Sequence, residues 1–294
     1  MIAYLVAMAS IALIYCLLAL GLNIQWGHTG LINFGHVAFF AIGGYTSAIL
    51  SLKGMPVLFS LFAGICLAGL AAYPIGRITI RLKEDYLAIV TIGFSEIIRL
   101  ICLNEQWLTR GPMGLPDVPK LFPWWGQRAN EWLNLGLFFI ITVSVFFLLR
   151  RLLGSPFGRV LRAIKEDEYA MSALGKNVVA FKIRSLIIGA MIAGLAGGLY
   201  AHYMSYIVPE MFLPIVTFYV WIAVILGGSG SNLGAIIGSV ILLVFLEGTR
   251  FLGDFEFPLD QTRLAALRFV IVGFGLILLV LYRPQGLLGK DERS

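Results

Sequence analysis

The chain has 294 residues, of which 59% are hydrophobic and only 13% are charged, and its formal net charge is +6. A mean hydropathy of +0.90 argues against a water-soluble domain. The basic residues form no continuous stripe, so the positive charge does not favour nucleic-acid binding. Composition therefore predicts an all-α protein that crosses a lipid bilayer several times.

Nine apolar stretches predict the spans, because a helix needs roughly 20 apolar residues to cross the hydrocarbon core. They cover residues 2–21, 34–52, 57–78, 86–103, 133–149, 183–204, 212–226, 233–246 and 264–282. The stretches ending at 226 and 246 are short and joined by glycines, so they form either two crossings or one re-entrant hairpin. We predict a polytopic transmembrane helical bundle of about eight or nine spans, with residues 1–294 in one domain.

The loops differ in positive charge, and this difference predicts the orientation of the chain. Three clusters hold 14 basic residues: Arg77, Arg81 and Lys83; Arg150, Arg151, Arg159, Arg162, Lys165, Lys176, Lys182 and Arg184; Arg283, Lys290 and Arg293. The remaining loops hold five: Lys53, Arg110, Lys120, Arg128 and Arg263. Placing the 14 in the cytoplasm puts the N-terminus outside and the C-terminus inside.

Two loops are candidates for contacts with other molecules. The cytoplasmic loop 150–182 contains a predicted amphipathic helix from Phe157 to Leu174, which either lies on anionic lipid or docks a cytosolic partner. The external loop 104–132 is rich in proline and tryptophan. Its tryptophans mark the headgroup belt, or the loop forms a lid or receptor surface.

Three cysteines and three histidines carry no metal-binding or catalytic pattern: Cys16, Cys66, Cys102, His28, His36 and His202. Their spacing lacks the paired ligands of a zinc site, so we predict packing roles for the cysteines and no metal. No residue is predicted to be catalytic. The chain is therefore not expected to be an enzyme.

Charged and small residues within the stretches predict helix contacts. Glu96 and Arg99 are three positions apart and can pair on one helix face, as can Glu247 and Arg250, although a proton relay is the alternative. Small residues recur at every fourth position: Gly64, Ala68 and Ala72; Gly189, Ala193 and Gly197; Ala190, Gly194 and Gly198. Such spacing allows close helix approach, within the chain or with a second subunit.

The sequence shows no energy source of its own. Ionisable residues near the bilayer midplane and paired broken helices, which are typical of secondary transporters, are scarce. We therefore predict a pore-forming subunit that other proteins drive. A proton-coupled secondary transporter and a non-transporting scaffold are the alternatives.

Several segments, in order, resemble LivM-type permease subunits of branched-chain amino acid ABC transporters. They are GLNIQWGHTGLINFGHVAFFAIGGYTSA from Gly21, EDYLAIVTIGFSEIIRL from Glu84, TRGPMGL from Thr109, SPFGRVLRAIKEDEYAMSALGKN from Ser155, ILGGSGSNLGAIIGS from Ile225 and YRPQGLLG from Tyr282. The resemblance implies a homologous LivH-type permease as partner, two cytosolic ATP-binding subunits and an external or periplasmic solute-binding protein. It also implies the bacterial cytoplasmic (inner) membrane. This chain would bind no cofactor, since the partner ATPases use the ATP.

The resemblance also implies two sets of functional residues. The substrate path would include Gly30, Asn33, Gly35, His36, Gly43 and Tyr45. Coupling to the ATPases would involve Arg162, Glu166, Asp167, Glu168, Ala170 and Gly175. The chain departs from the EAA pattern of many importers at Tyr169, and many relatives have serine in place of Asn33. The implied solute is a branched-chain or other neutral amino acid, and related permeases for urea or short amides are the alternative.

Overall fold

The computed structural model describes residues 2–80, 84–122, 126–251, 273 and 286–288. Within these residues the regular structure is helical, apart from one isolated antiparallel bridge between Leu115 and Ile207. Eight of the nine predicted apolar stretches fall on helices. The ninth, 264–282, lies outside the described residues except for residue 273.

The helices are α1 (Ile2–Leu22), α2 (His36–Leu52), α3 (Val57–Thr79), α4 (Glu84–Asn104), α5 (Gln106–Thr109), α6 (Gln127–Gly154), α7 (Pro156–Glu166), α8 (Glu168–Ala173), α9 (Val178–Met204), α10 (Ile215–Gly227) and α11 (Asn232–Phe251). Six helical stretches of the described chain are long and apolar enough to cross a membrane. Two shorter apolar helices cover His36–Leu52 and Asn232–Glu247. The described part of the chain is therefore helical, and the protein is a multi-pass membrane protein.

Small residues bring α2, α3 and α9 into backbone contact. A Cβ atom added to Gly194 would lie 2.6 Å from Ala68 Cβ, and one added to Gly43 would lie 2.1 Å from the Gly194 carbonyl oxygen. A Cβ on Gly197 would lie 1.9 Å from the Phe40 carbonyl oxygen. The predicted close helix approach is confirmed, and it occurs within this chain. We call these three helices the glycine-packed core.

The predicted amphipathic helix 157–174 is wrong as a single element, because the chain breaks at Asp167. This residue is extended (φ −152°, ψ 103°), and its carboxylate accepts a hydrogen bond of 2.9 Å from Ala170 N. Asp167 thus caps a new helix, α8, instead of continuing α7. We call Pro156–Ala173 the α7–α8 segment.

Contacts between connections define two ends of the bundle. At the α7 end, Gly30 lies beside Lys165, and Leu287 N donates to Leu226 O at 2.9 Å. At the opposite end, which carries α5, Leu115 and Ile207 exchange two backbone hydrogen bonds. The segments that the charge analysis assigned to one side of the membrane thus lie together at one end.

Three further predictions concern side chains. Glu96 and Arg99 form the predicted ion pair, with Arg99 Nε 2.9 Å from a carboxylate oxygen. The side chain of Arg250 lies outside the described residues, and Glu247 accepts a 2.9 Å hydrogen bond from Tyr4 Oη. Cys16 and Cys102 are buried, but Cys66 is exposed on α3, so its predicted packing role within this chain is wrong.

Candidate functional site

The membrane helices are interrupted between α1 and α2. The end of α1 widens into a π-helical turn, Asn23–Gly27, and residues 28–35 follow without regular helix before α2 begins. The predicted stretches 2–21 and 34–52 left residues 22–33 as a connection between two spans, and the structure packs this connection into the bundle. Irregular backbone at membrane depth is stable only where protein or a water-filled cavity supplies its hydrogen bonds. We call residues 28–35 the interrupted segment.

Asn33 is the centre of the hydrogen bonds that hold this segment. Its amide nitrogen donates to Gln25 Oε1 at 2.9 Å, and its amide oxygen accepts from Gly35 N at 2.9 Å. Its backbone carbonyl accepts from the Trp221 indole at 3.1 Å. Asn33 is only 1% exposed. Its side chain therefore positions the backbone in this conformation instead of facing an open path.

Hydroxyl groups from neighbouring helices form further hydrogen bonds with this segment and with the start of α2. Thr29 Oγ1 lies 2.8 Å from Ser185 Oγ on α9, and Thr91 Oγ1 on α4 accepts from Phe34 N at 3.1 Å. Thr217 on α10 accepts from Val37 N at 3.0 Å. Thr91 and Ser185 lie about two helical turns inside their helices. The interrupted segment is thus held within the depth of the bundle.

The other predicted path residues lie along α2 and its start. Gly35 and Gly43 are contact glycines, since a Cβ at Gly35 would lie 2.1 Å from the Thr91 carbonyl oxygen. His36 and Tyr45 are 1% and 4% exposed. Among the described residues, two buried polar atoms on α2 have no hydrogen-bond partner: His36 Nδ1 and the Tyr45 hydroxyl.

The structure thus brings Gly30, Asn33, Gly35 and His36 together and places Gly43 and Tyr45 further along α2. Sequence reasoning missed Gln25, Thr217 and Trp221, which support the segment. Gln25 carried a weak signal, because it lies four residues after a predicted span, where a buried amide would need a hydrogen-bond partner. Thr217 and Trp221 carried no sequence signal, because each acts through a hydrogen bond between α10 and a residue nearly 200 positions earlier in the chain.

A cavity of about 730 Å³ adjoins the interrupted segment at the α7 end. Its lining includes Gly27, His28, Arg162, Lys165, Glu166 and the 229–231 loop. The cavity wall therefore combines two cations, one carboxylate and neutral polar groups.

The predicted coupling residues divide between this cavity and the surface. Arg162 and Glu166 line the cavity. Asp167 caps α8 through Ala170 N, and Glu168 pairs with Lys182 on α9. Gly175 lies two residues after the end of α8 and has a positive φ of 75°. The described residues contain no cluster of His, Cys, Asp or Glu that could hold a metal ion.

Comparisons with known proteins identify relatives along almost the entire chain. The sequence profile of the family described as branched-chain amino acid transport system, permease component, matches residues 4–281. The high-affinity branched-chain amino acid transport permease LivM of Escherichia coli K12 is 33% identical over 96% of this chain and 69% of its own length.

Two more distant relatives extend the comparison. A probable LivM of Methanocaldococcus jannaschii is 29% identical over 94% of this chain and 90% of its own length. The permease LivH of Escherichia coli K12 is 28% identical over 95% of this chain and 92% of its own. No solved structure gives a significant match. The chain therefore belongs to the branched-chain amino acid transport system permease family.

Proposed function

We propose that this chain is the permease subunit of an ATP-driven ABC importer for branched-chain or other neutral amino acids. A homologous LivH-type permease completes the translocation path, two cytosolic subunits hydrolyse ATP, and an external solute-binding protein delivers the solute. The observation that carries this proposal is the buried interruption between α1 and α2 in a chain that the permease family covers from residue 4 to residue 281. Irregular backbone that is buried among membrane helices is stable only where it lies in protein or lines a cavity, and transporters build solute sites from such backbone.

The proposal includes a topology. Residues 1–294 form one domain of eight or nine spans, with the N-terminus outside, the C-terminus cytoplasmic, loop 104–132 external and loop 150–182 cytoplasmic. The grouping of the basic loop with residues 286–288 at the α7 end supports this orientation. α11 has 20 residues, enough for about 30 Å, and Pro209–Gly227 has 19, which favours two crossings over a hairpin.

In this proposal, the α7–α8 segment is the coupling element to the ATPases. It is joined to the bundle by Lys165 beside Gly30 and by the Glu168 to Lys182 pair. The exposed side chains of Arg162, Glu166 and Asp167 leave it accessible to a cytosolic protein. Movement of α7 would reach the interrupted segment directly through Gly30.

The substrate path in this proposal follows the interrupted segment and α2. The polar atoms without partners, His36 Nδ1 and the Tyr45 hydroxyl, are its recognition groups. Asn33 positions the backbone between them and the α7 end. Gly30, Gly35 and Gly43 let this backbone lie close to neighbouring groups.

Uptake by proteoliposomes tests the proposal. The chain reconstituted with the second permease, both ATPases and the binding protein is expected to accumulate radiolabelled leucine only when ATP is enclosed. Accumulation by this chain alone, driven by a proton gradient, would establish a secondary transporter instead. ATP-dependent uptake of urea or acetamide without leucine uptake would assign the alternative solute class.

A further inference from the structure

An aromatic side chain from the connection between α9 and α10 covers one face of α2. Phe212 ends the short helical turn Pro209–Phe212 and is 1% exposed. Its ring centroid lies 5.2 Å from that of Phe40 and 5.5 Å from that of Tyr45, both on α2. Gly44 leaves space for this ring, because a Cβ there would lie 3.3 Å from Phe212 Cζ. Phe212 therefore covers the part of α2 that carries the Tyr45 hydroxyl, which has no hydrogen-bond partner among the described residues.

Backbone hydrogen bonds hold this connection against the loop between α5 and α6. Leu115 N donates to Ile207 O at 2.9 Å, and Ile207 N donates to Leu115 O at 3.2 Å. Val118 N donates to Ser205 O at 3.1 Å. We call residues 113–119 together with 205–207 the outer clasp. Because Phe212 lies five residues beyond Ile207, the outer clasp restricts where its ring can lie.

A buried histidine joins the outer clasp directly to α2. His202 on α9 is 1% exposed, and its Nδ1 donates to Pro119 O at 2.7 Å, since a carbonyl oxygen can only accept. In the neutral ring, Nε2 accepts from Ser47 Oγ on α2 at 2.8 Å. One side chain thus links the outer clasp, α9 and α2 through two short hydrogen bonds.

The outer clasp also contains strained backbone. Among the described residues, those other than glycine with a positive φ are Arg110 (59°), Asp117 (58°) and Ser205 (56°). Asp117 and Ser205 belong to the outer clasp, and Arg110 lies three residues before it. Such conformations cost free energy and persist only where surrounding contacts hold them. Release of this strain offsets part of the hydrogen bonding that is lost when the outer clasp opens.

We propose that Phe212 is the outer gate of the substrate path and that the outer clasp holds this gate closed. Opening breaks the hydrogen bonds between Leu115 and Ile207 and lifts Phe212 away from Tyr45, so that a solute arriving at the α5 end reaches the Tyr45 hydroxyl. The connection moves, because close backbone contacts leave α2 and α9 little freedom to slide. This inference rests on the proposed function, since it supplies a gate for the same path.

A reversible cross-link tests the outer clasp. Leu115 and Ile207 exchange both backbone hydrogen bonds, and residues paired in this way have Cα atoms about 5.5 Å apart, which suits a disulfide. In the complete reconstituted transporter carrying Cys66→Ser, the double variant Leu115→Cys with Ile207→Cys is expected to lose nearly all ATP-dependent leucine uptake on oxidation and to regain it on reduction. Each single variant should not respond. Equal uptake with the disulfide formed and reduced would overturn the proposal.

Labelling of a native thiol tests the gate without transport. Cys102 on α4 is 7% exposed and is an electrostatic neighbour of the Tyr45 hydroxyl. In proteoliposomes of the complete transporter carrying Cys66→Ser, a membrane-impermeant maleimide added at the α5 end should reach Cys102 slowly while the gate is closed. Phe212→Ala removes both aromatic contacts of the gate, so it should speed this labelling by about tenfold.

Phe138→Ala is the matched control for lost side-chain volume. Phe138 is fully buried on α6, and its ring centroid lies 5.7 Å from that of Tyr203. This variant should lower stability as Phe212→Ala does but leave Cys102 protected. Phe212→Leu removes only the ring, should act in the same direction as Phe212→Ala, and replaces it if that variant does not fold.

The two results that matter are distinguishable. The proposal is overturned if neither Phe212 variant is labelled faster than Phe138→Ala. Faster labelling in a transporter that imports no leucine would uphold the gate and count against the proposed function alone, because labelling requires only that Phe212 moves.

Discussion

The glycine-packed core and the α7–α8 segment are held together by opposite means. In the core, backbones touch so closely that one added carbon at Gly197 would lie 1.9 Å from a carbonyl oxygen. In the α7–α8 segment, most polar side chains are exposed, and α8 buries no residue. The core therefore behaves as one packed body, whereas the segment depends on a cap, an ion pair and a few apolar contacts.

This difference in packing suits the two regions to different functions. Close backbone contact leaves little freedom for the core helices to slide independently, because such packing does not deform continuously. An exposed, charged segment is suited to contacts with another protein. The interrupted segment links them, since Gly30 lies beside Lys165 while Asn33 is buried among α1, α2 and α10. Substitutions should therefore affect stability in the core and coupling in the segment.

The largest effect on stability is expected from Gly197→Ala. The new Cβ would overlap the Phe40 carbonyl oxygen, so α2 and α9 must separate, at a cost of about 3 kcal/mol. Gly136→Ala on α6 is the control, because nothing lies within 4 Å of its Cβ position. It should be neutral or slightly stabilising. Unfolding in mixed micelles of increasing denaturing detergent measures both, and equal stability of the two variants would contradict the packing argument.

A smaller loss is expected from Asn33→Ala. This change leaves Gln25 Oε1 and Gly35 N without their partners, which should cost about 2 kcal/mol. Trp221 stacks on Phe34 with ring centroids 4.8 Å apart, so its fluorescence reports the rearrangement. Asn104→Ala is the control, since Asn104 is exposed and bonds only its own helix at Leu100 O. A fluorescence spectrum unchanged in Asn33→Ala would count against the positioning role.

Replacing Glu166, Asp167 and Glu168 together by alanine should cost only about 1 kcal/mol. The cap of α8 contributes most of this, because a partly exposed ion pair adds little. Transport and stimulation of the partner ATPases should nevertheless fall sharply, with membrane insertion intact. The double variant Glu105→Ala and Glu210→Ala, at exposed positions outside this segment, should retain both activities. Normal ATPase stimulation in the triple variant would refute the coupling assignment.

Tyr45→Phe should have the smallest effect on stability. The hydroxyl is buried without a partner, so removing it should leave the free energy of unfolding unchanged or raise it by up to about 1 kcal/mol. If the hydroxyl contacts the solute, reconstituted uptake should slow severalfold. Tyr206→Phe, which removes a 3.0 Å bond to Met113 O outside the proposed path, is the comparison. Unchanged uptake in Tyr45→Phe would exclude Tyr45 from solute recognition.

Helix positions and several pairings follow from local pattern. Apolar length predicts eight of the helices, and spacing along one helix predicts the Glu96 to Arg99 pair and the small residues of α3 and α9. The break at Asp167 is harder to predict, because a carboxylate can continue a helix or cap a new one. The connection after α1 follows from the gap between the stretches 2–21 and 34–52, but its burial does not, because that depends on contacts with α4, α9 and α10.

The sequence by itself determined that this protein crosses a membrane, which loops are basic and to which family its segments are similar. These properties depend on composition and on neighbours a few residues apart. Only the tertiary structure decided that Asn33 is enclosed by Gln25 and Trp221, that Gly43 lies against Gly194, and that Arg162 faces a cavity with the 229–231 loop. These contacts join distant parts of the chain, and their geometry is set by how whole helices pack.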